Sequence, residues 1–95
     1  MMVTVYVNWE CHEILTKEQF KEEVKGLVAN IKEDTGEYDE RLYNFLEKKH
    51  LDIVDLFHMT EFDKLTLHKE FEEWLVGDAR VQLIEEDFEE IELEL

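Results

Sequence analysis

Residues 15–32 constrain the fold more than any other stretch, because both the start of a helix and its buried face are written in them. Thr16 is a good N-cap. Gln19, three positions on, completes a capping box, and Leu15 with Phe20 forms the flanking hydrophobic staple. Phe20, Val24, Leu27, Val28 and Ile31 then recur at helical spacing as one apolar stripe. A helix with one apolar face must lie on something. Thr35-Gly36 is expected to stop it, with Gly36 in the left-handed position past the end. Gly26 falls in mid-helix, where glycine costs about 1 kcal/mol relative to alanine, and the close approach of another backbone would explain it.

The rest of the chain supplies what that helix packs on. Val3, Val5 and Val7 alternate with Thr4, Tyr6 and Asn8, which predicts a strand over residues 2–8 with the valines inward. Residues 10–14 form a connection with room for a second short extended piece. Tyr38, Leu42, Phe45 and Leu46 predict a second helix over 37–49, whose last turn, Lys48, Lys49 and His50, suits the negative pole of the helix dipole. A short helix is expected within 51–59. Thr60 or Asp63 caps a third long helix, with Leu67, Phe71, Trp74 and Leu75 inward, to about Val76; Gly77-Asp78 ends it.

Residues 80–84 look extended and 91–95 alternate strictly, so the tail is expected to be a hairpin. Val81, Ile84, Phe88, Ile91 and Leu95 also fit a helix, so that alternative stays open. The expected fold class is α+β: a small, mainly antiparallel sheet, made of the N-terminal strand plus a C-terminal hairpin, packed against about three helices. Its 95 residues suit one small acidic domain over 1–95.

Charge excludes more than any motif does. There are 26 acidic and 10 basic side chains, a formal −16. That repels phosphates, so no direct nucleic-acid binding is expected. No apolar run approaches a membrane span, no signal-peptide pattern opens the chain, and the single Cys11 cannot form an internal disulfide. A cytoplasmic monomer or small homo-oligomer is the simplest expectation. Four of the ten cations, Lys17, Lys21, Lys25 and Lys32, line one edge of the first helix. Either their stems cover the border of the core, or the edge faces the most acidic part of the same chain.

The chemistry of catalysis and metal binding is thinly represented. Cys11, His12 and Glu13 are adjacent, and His50, His58 and His68 lie downstream, but no zinc-type ligand pair occurs. Glu10 and Glu13 flank Cys11 and disfavour a thiolate. There is no phosphate-binding glycine loop and no nucleophile elbow. Neither an enzyme nor a cofactor is expected. Tyr6 and Tyr43 fall off the apolar faces, as the rim of the core or as contact anchors.

The acidic tail is the remaining feature. Residues 61–95 hold 13 acids and 3 bases, and no cation follows Arg80. The candidate partner-binding residues are Glu85, Glu86, Asp87, Glu89, Glu90, Glu92 and Glu94, extended by Glu70, Glu72, Glu73 and Asp78. On a strand, Glu90, Glu92 and Glu94 would project from one face about 7 Å apart. That is a spacing of the same order as phosphates along a nucleic-acid strand.

In size and composition the chain resembles the nucleic-acid-mimicking inhibitors that phages and mobile elements direct against restriction, repair or RNA-guided (CRISPR) nucleases. The resemblance is one of kind, carried by no particular residue. The expected function is a non-enzymatic interaction domain that binds a basic, nucleic-acid-binding protein as such an inhibitor. The alternative is a small accessory or assembly subunit that binds its partner through an apolar patch, its acidic surface serving solubility alone.

Overall fold

The computed structural model of the chain describes residues 1–95 and has the expected α+β class. The elements run β1 (Met2–Asn8), β2 (Ile14–Thr16), α1 (Lys17–Glu33), α2 (Thr35–Lys48), α3 (Ile53–Phe57), α4 (Glu61–Glu86) and β3 (Phe88–Glu94). The strands form one antiparallel sheet in the order β2-β1-β3. No helix is long and apolar enough to cross a membrane.

The molecule is elongated, 53 × 29 × 19 Å, with a radius of gyration of 16.5 Å. A compact chain of this length would have about 12 Å. The core is correspondingly thin: 12 residues are buried, all of them apolar or aromatic. Helix α1 begins as its sequence dictates, with the Thr16–Gln19 capping box formed, and it buries Phe20, Val24, Val28 and Ile31. Against it lie Phe45 and Leu46 of α2 and Phe71, Leu75 and Ala79 of α4. Phe71 is the hub, with Tyr38, Phe45 and Trp74 rings 5.3–6.2 Å away.

Several expectations are corrected. The tail is not a hairpin. Residues 80–84 belong to α4, which runs through Gly77 without a stop to Glu86, and β3 pairs with β1 instead. The helix wins because Ala79, Leu83 and Ile84 prolong the buried side begun by Phe71 and Leu75. Arg80, Gln82, Glu85 and Glu86 are also good helix formers, and one glycine costs too little to break a helix packed along its length. The third strand is the short β2.

Nor does Gly36 end α1. Asp34 closes α1 and caps α2 in turn, its side chain accepting a hydrogen bond from the Glu37 amide, and Gly36 lies in the first turn of α2. No glycine has a positive φ; the left-handed residues are His12 and His50, the latter just past the end of α2. Gly26 faces open space, with no backbone near it.

The parity of β1 is also inverted. Tyr6, not the valines, points at the helices: it is 2% exposed and stacks on Phe20 with centroids 3.8 Å apart. The register pairs Tyr6 with Glu90, Val5 with Ile91 and Val3 with Leu93. Directly opposed residues share a face. Val3, Val5, Val7, Ile91 and Leu93 therefore form the face turned away from the helices, and that face has no covering layer.

Candidate functional site

The connection between β1 and β2, residues 9–13, is a tight loop organised by Asn8. Its side chain accepts hydrogen bonds from the Glu10 and Cys11 amides, and its backbone carbonyl accepts one from His12. The Trp9 amide donates to the Asp87 carbonyl at 2.9 Å, which ties this loop to the α4–β3 turn. These two turns lie side by side at one end of the sheet, where the β1–β3 ladder stops at Asn8 and Phe88. Cys11 is exposed there, 4.0 Å from the Glu13 carboxylate. No three His, Cys, Asp or Glu side chains converge anywhere as a metal site would require. His68 meets Glu72 alone, at 3.6 Å.

The eleven candidate carboxylates fall into two groups. Four are tied to cations of the chain itself. Glu70 meets Lys49 at 2.5 Å, Glu72 meets Lys32 at 2.6 Å, and Asp78 meets Arg41 at 2.5 Å. Glu90 accepts from Arg80 at 3.4 Å and from the Tyr6 hydroxyl at 3.3 Å. Arg80 in turn donates to the Tyr6 hydroxyl at 3.1 Å. That hydrogen bond is the first cause of its raised pKa; partial burial opposes it, and the charge of Glu90 adds to it.

The other seven, Glu73, Glu85, Glu86, Asp87, Glu89, Glu92 and Glu94, take part in no ion pair. All are exposed. The carboxylate row expected on the last strand is therefore shortened, because Glu90 is held inward by Arg80 while Glu92 and Glu94 stay free. Glu89 belongs to the opposite face, beside Val7.

One further carboxylate joins this set that the sequence did not point to. Glu40 of α2, with Glu37 beside it paired to Arg41 at 3.6 Å, lines a groove of about 370 Å³ together with Glu85 and Glu86 of α4, Arg41 and Asp78. Arg41 is held there by Asp78 and by Gln82 at 2.7 Å. The only sequence signal was a run of acids on one flank of α2. It could not be placed, because residues 80–86 were not expected to continue α4 alongside α2.

Comparison with protein families, curated proteins and solved structures finds no match. The reading of the site therefore rests on its geometry.

The carboxylates continue from the groove through α4's last turn and the α4–β3 turn, and then along β3, where Glu92 and Glu94 lie opposite Thr4 and Met2. Glu10 and Glu13 lie on the loop tied to the α4–β3 turn. Residues 1–16 and 81–95 contain nine acids and no Lys or Arg. Such a surface can present fixed negative charge to a cationic partner and draw that partner in from a distance.

Proposed function

We propose that this chain is a non-enzymatic interaction domain whose acidic surface binds a basic surface of another protein, in competition with the nucleic acid that the basic surface normally holds. One observation carries the reading: residues 1–16 and 81–95 hold nine acids and no Lys or Arg, so that eight of the nine take part in no ion pair, whereas seven of the 17 acids in residues 17–80 are neutralised by cations of the chain itself. Carboxylates kept only for solubility would have no reason to be segregated in this way. Arg41 already neutralises Glu37 and Asp78 within the groove, and Glu40, Glu85 and Glu86 beside it are left to meet Lys and Arg side chains of a partner, in the charge-assisted pairs that are the stronger class of hydrogen bond.

The test is capture from lysate at low salt, with duplex DNA or RNA as competitor. The retained protein is expected to be displaced by nucleic acid. It should be lost as salt approaches 1 M, where the Debye length is about 3 Å. The variant E85Q/E86Q/D87N/E89Q should bind about 30-fold more weakly, some 2 kcal/mol at a fraction of a kcal/mol per exposed pair. Retention that ignores competitor, salt and variant would defeat the reading.

A second reading has its own observation. The open face of the sheet carries an apolar stripe, Val3, Val5, Val7, Ile91 and Leu93, bordered by Glu89 and Thr16 and covered by no other element, and Leu93 is 44% exposed. Docking there would persist or strengthen in salt. Val5→Lys would abolish it and leave electrostatic capture intact.

A further inference from the structure

Beneath the sheet, on the side opposite to the open face, a cavity of about 330 Å³ lies between α1, α4 and β1. Its floor is the core residues Phe20 and Val24 of α1 and the Tyr6 ring, none more than 4% exposed, and Val76 of α4 is its exposed apolar wall. Every other lining residue is a cation: Lys17, Lys21 and Lys25, one turn apart along α1, and Arg80 facing them from α4. In a chain with 26 acids and 10 bases, four bases and no acid line this one cavity.

The four cations are differently engaged. Arg80 is held in place by Tyr6 and Glu90, its guanidinium 6.0 Å from the centre of the Tyr6 ring. Lys17 takes part in no ion pair. Lys21 and Lys25 reach only their own helix neighbours, Glu18 at 3.9 Å and Glu22 at 3.2 Å, through side chains 60–81% exposed. Such pairs contribute little and exchange readily. The lysine heads can therefore turn to an incoming anion at little cost, while their stems extend the apolar wall.

We infer that this cavity binds a small amphipathic monoanion, an aliphatic or aromatic carboxylic acid. The apolar part would lie on Val76 and the methylene stems of Lys17, Lys21 and Lys25, over a floor of Phe20 and Val24, with the carboxylate at the Lys17–Lys21 mouth, since Arg80 is already paired with Glu90. The size is at the lower end of small-molecule sites, which suits a medium-chain acid and not a larger lipid. A polyanion such as a nucleotide fits poorly: the walls offer its polar groups few partners, and the net charge of −16 repels it.

The test uses the intact chain and the fluorescence of anilinonaphthalene sulfonate, displaced in parallel by decanoate and by decanol. Saturable binding is expected, with decanoate displacing the dye at least about tenfold more effectively than decanol, as befits hydrogen bonds to a charged group. Val76 is 46% exposed, so Val76→Glu should fold normally, which circular dichroism verifies, and should lose decanoate binding. K17Q/K21Q should erase the preference for decanoate over decanol and leave the decanol affinity in place. Equal displacement by the acid and the alcohol, an unchanged affinity in Val76→Glu, or the absence of saturable binding would each overturn the inference.

Discussion

The helical body and the sheet end of this molecule carry their charge differently. Residues 17–80 hold 17 acids and all 10 bases, and cations there reach across the packed helices: Lys32 to Glu72, Arg41 to Asp78, Lys49 to Glu70. Residues 1–16 and 81–95 hold nine acids and no Lys or Arg, and Arg80 of α4, at the border, reaches over to a single one of them, Glu90. The apolar residues divide less sharply. Those of the helical body close over Phe71 and Leu75 but leave Phe57 and Phe62 78% and 75% exposed, and the sheet buries one face through Tyr6 and Phe88 and leaves the other without a covering layer. Where charges are paired and faces covered, side chains serve the fold. Where charges stand alone and a face is bare, their removal should cost the fold little, and that separation can be measured.

The largest effect is expected in the helical body. Phe71→Ala removes the ring on which Tyr38, Phe45 and Trp74 converge, and it should destabilise the protein by about 3–5 kcal/mol, read from urea unfolding. A thin core gives that cavity few ways to collapse. A loss under about 1 kcal/mol would mean that the helices do not share one core.

Next come the paired acids. E70Q/E72Q/D78N should lower stability by about 2 kcal/mol, most of it from Asp78, whose loss strips the half-buried Arg41 of its closest partner. Partner capture should survive in this variant. If capture fails while stability holds, the division between paired and free carboxylates is wrong.

The border between the two regions is the Tyr6–Arg80–Glu90 cluster. Tyr6→Phe keeps the ring stacked on Phe20 and removes only the hydroxyl, so a loss of about 1 kcal/mol in the same unfolding assay is expected.

The smallest effect on the fold is expected from E85Q/E86Q/D87N/E89Q. Its unfolding free energy should stay within about 0.5 kcal/mol of the parent, as for surface substitutions generally, and should rise if self-repulsion dominates. A drop of about 2 kcal/mol or more would show that these carboxylates hold the structure together and would remove the basis for a binding role.

Local signals proved dependable where they act over a few residues. The Thr16–Gln19 capping box and the α1 stripe form as written, since both depend on neighbours within two turns. Helix α2 and the α+β class followed from the same periodicities. The candidate site was legible only in part. The acidic residues were visible, but which of them are free was not, because Lys49–Glu70, Lys32–Glu72 and Arg41–Asp78 join residues 21–40 positions apart.

What the amino-acid sequence determined by itself, then, is the amphipathic helices, their caps, and the charge imbalance that leaves the tail without a cation. Three things were decided only when the chain packed. Residues 80–86 became helix because Ala79, Leu83 and Ile84 found apolar neighbours along the continued axis, a gain that intrinsic strand or helix preference does not contain. Residues 88–94 paired with β1, far off in the chain and out of reach of any local pattern. The inward face of β1 was set by Tyr6 stacking on Phe20: alternation shows that a strand has two faces, and only the layer above it chooses between them.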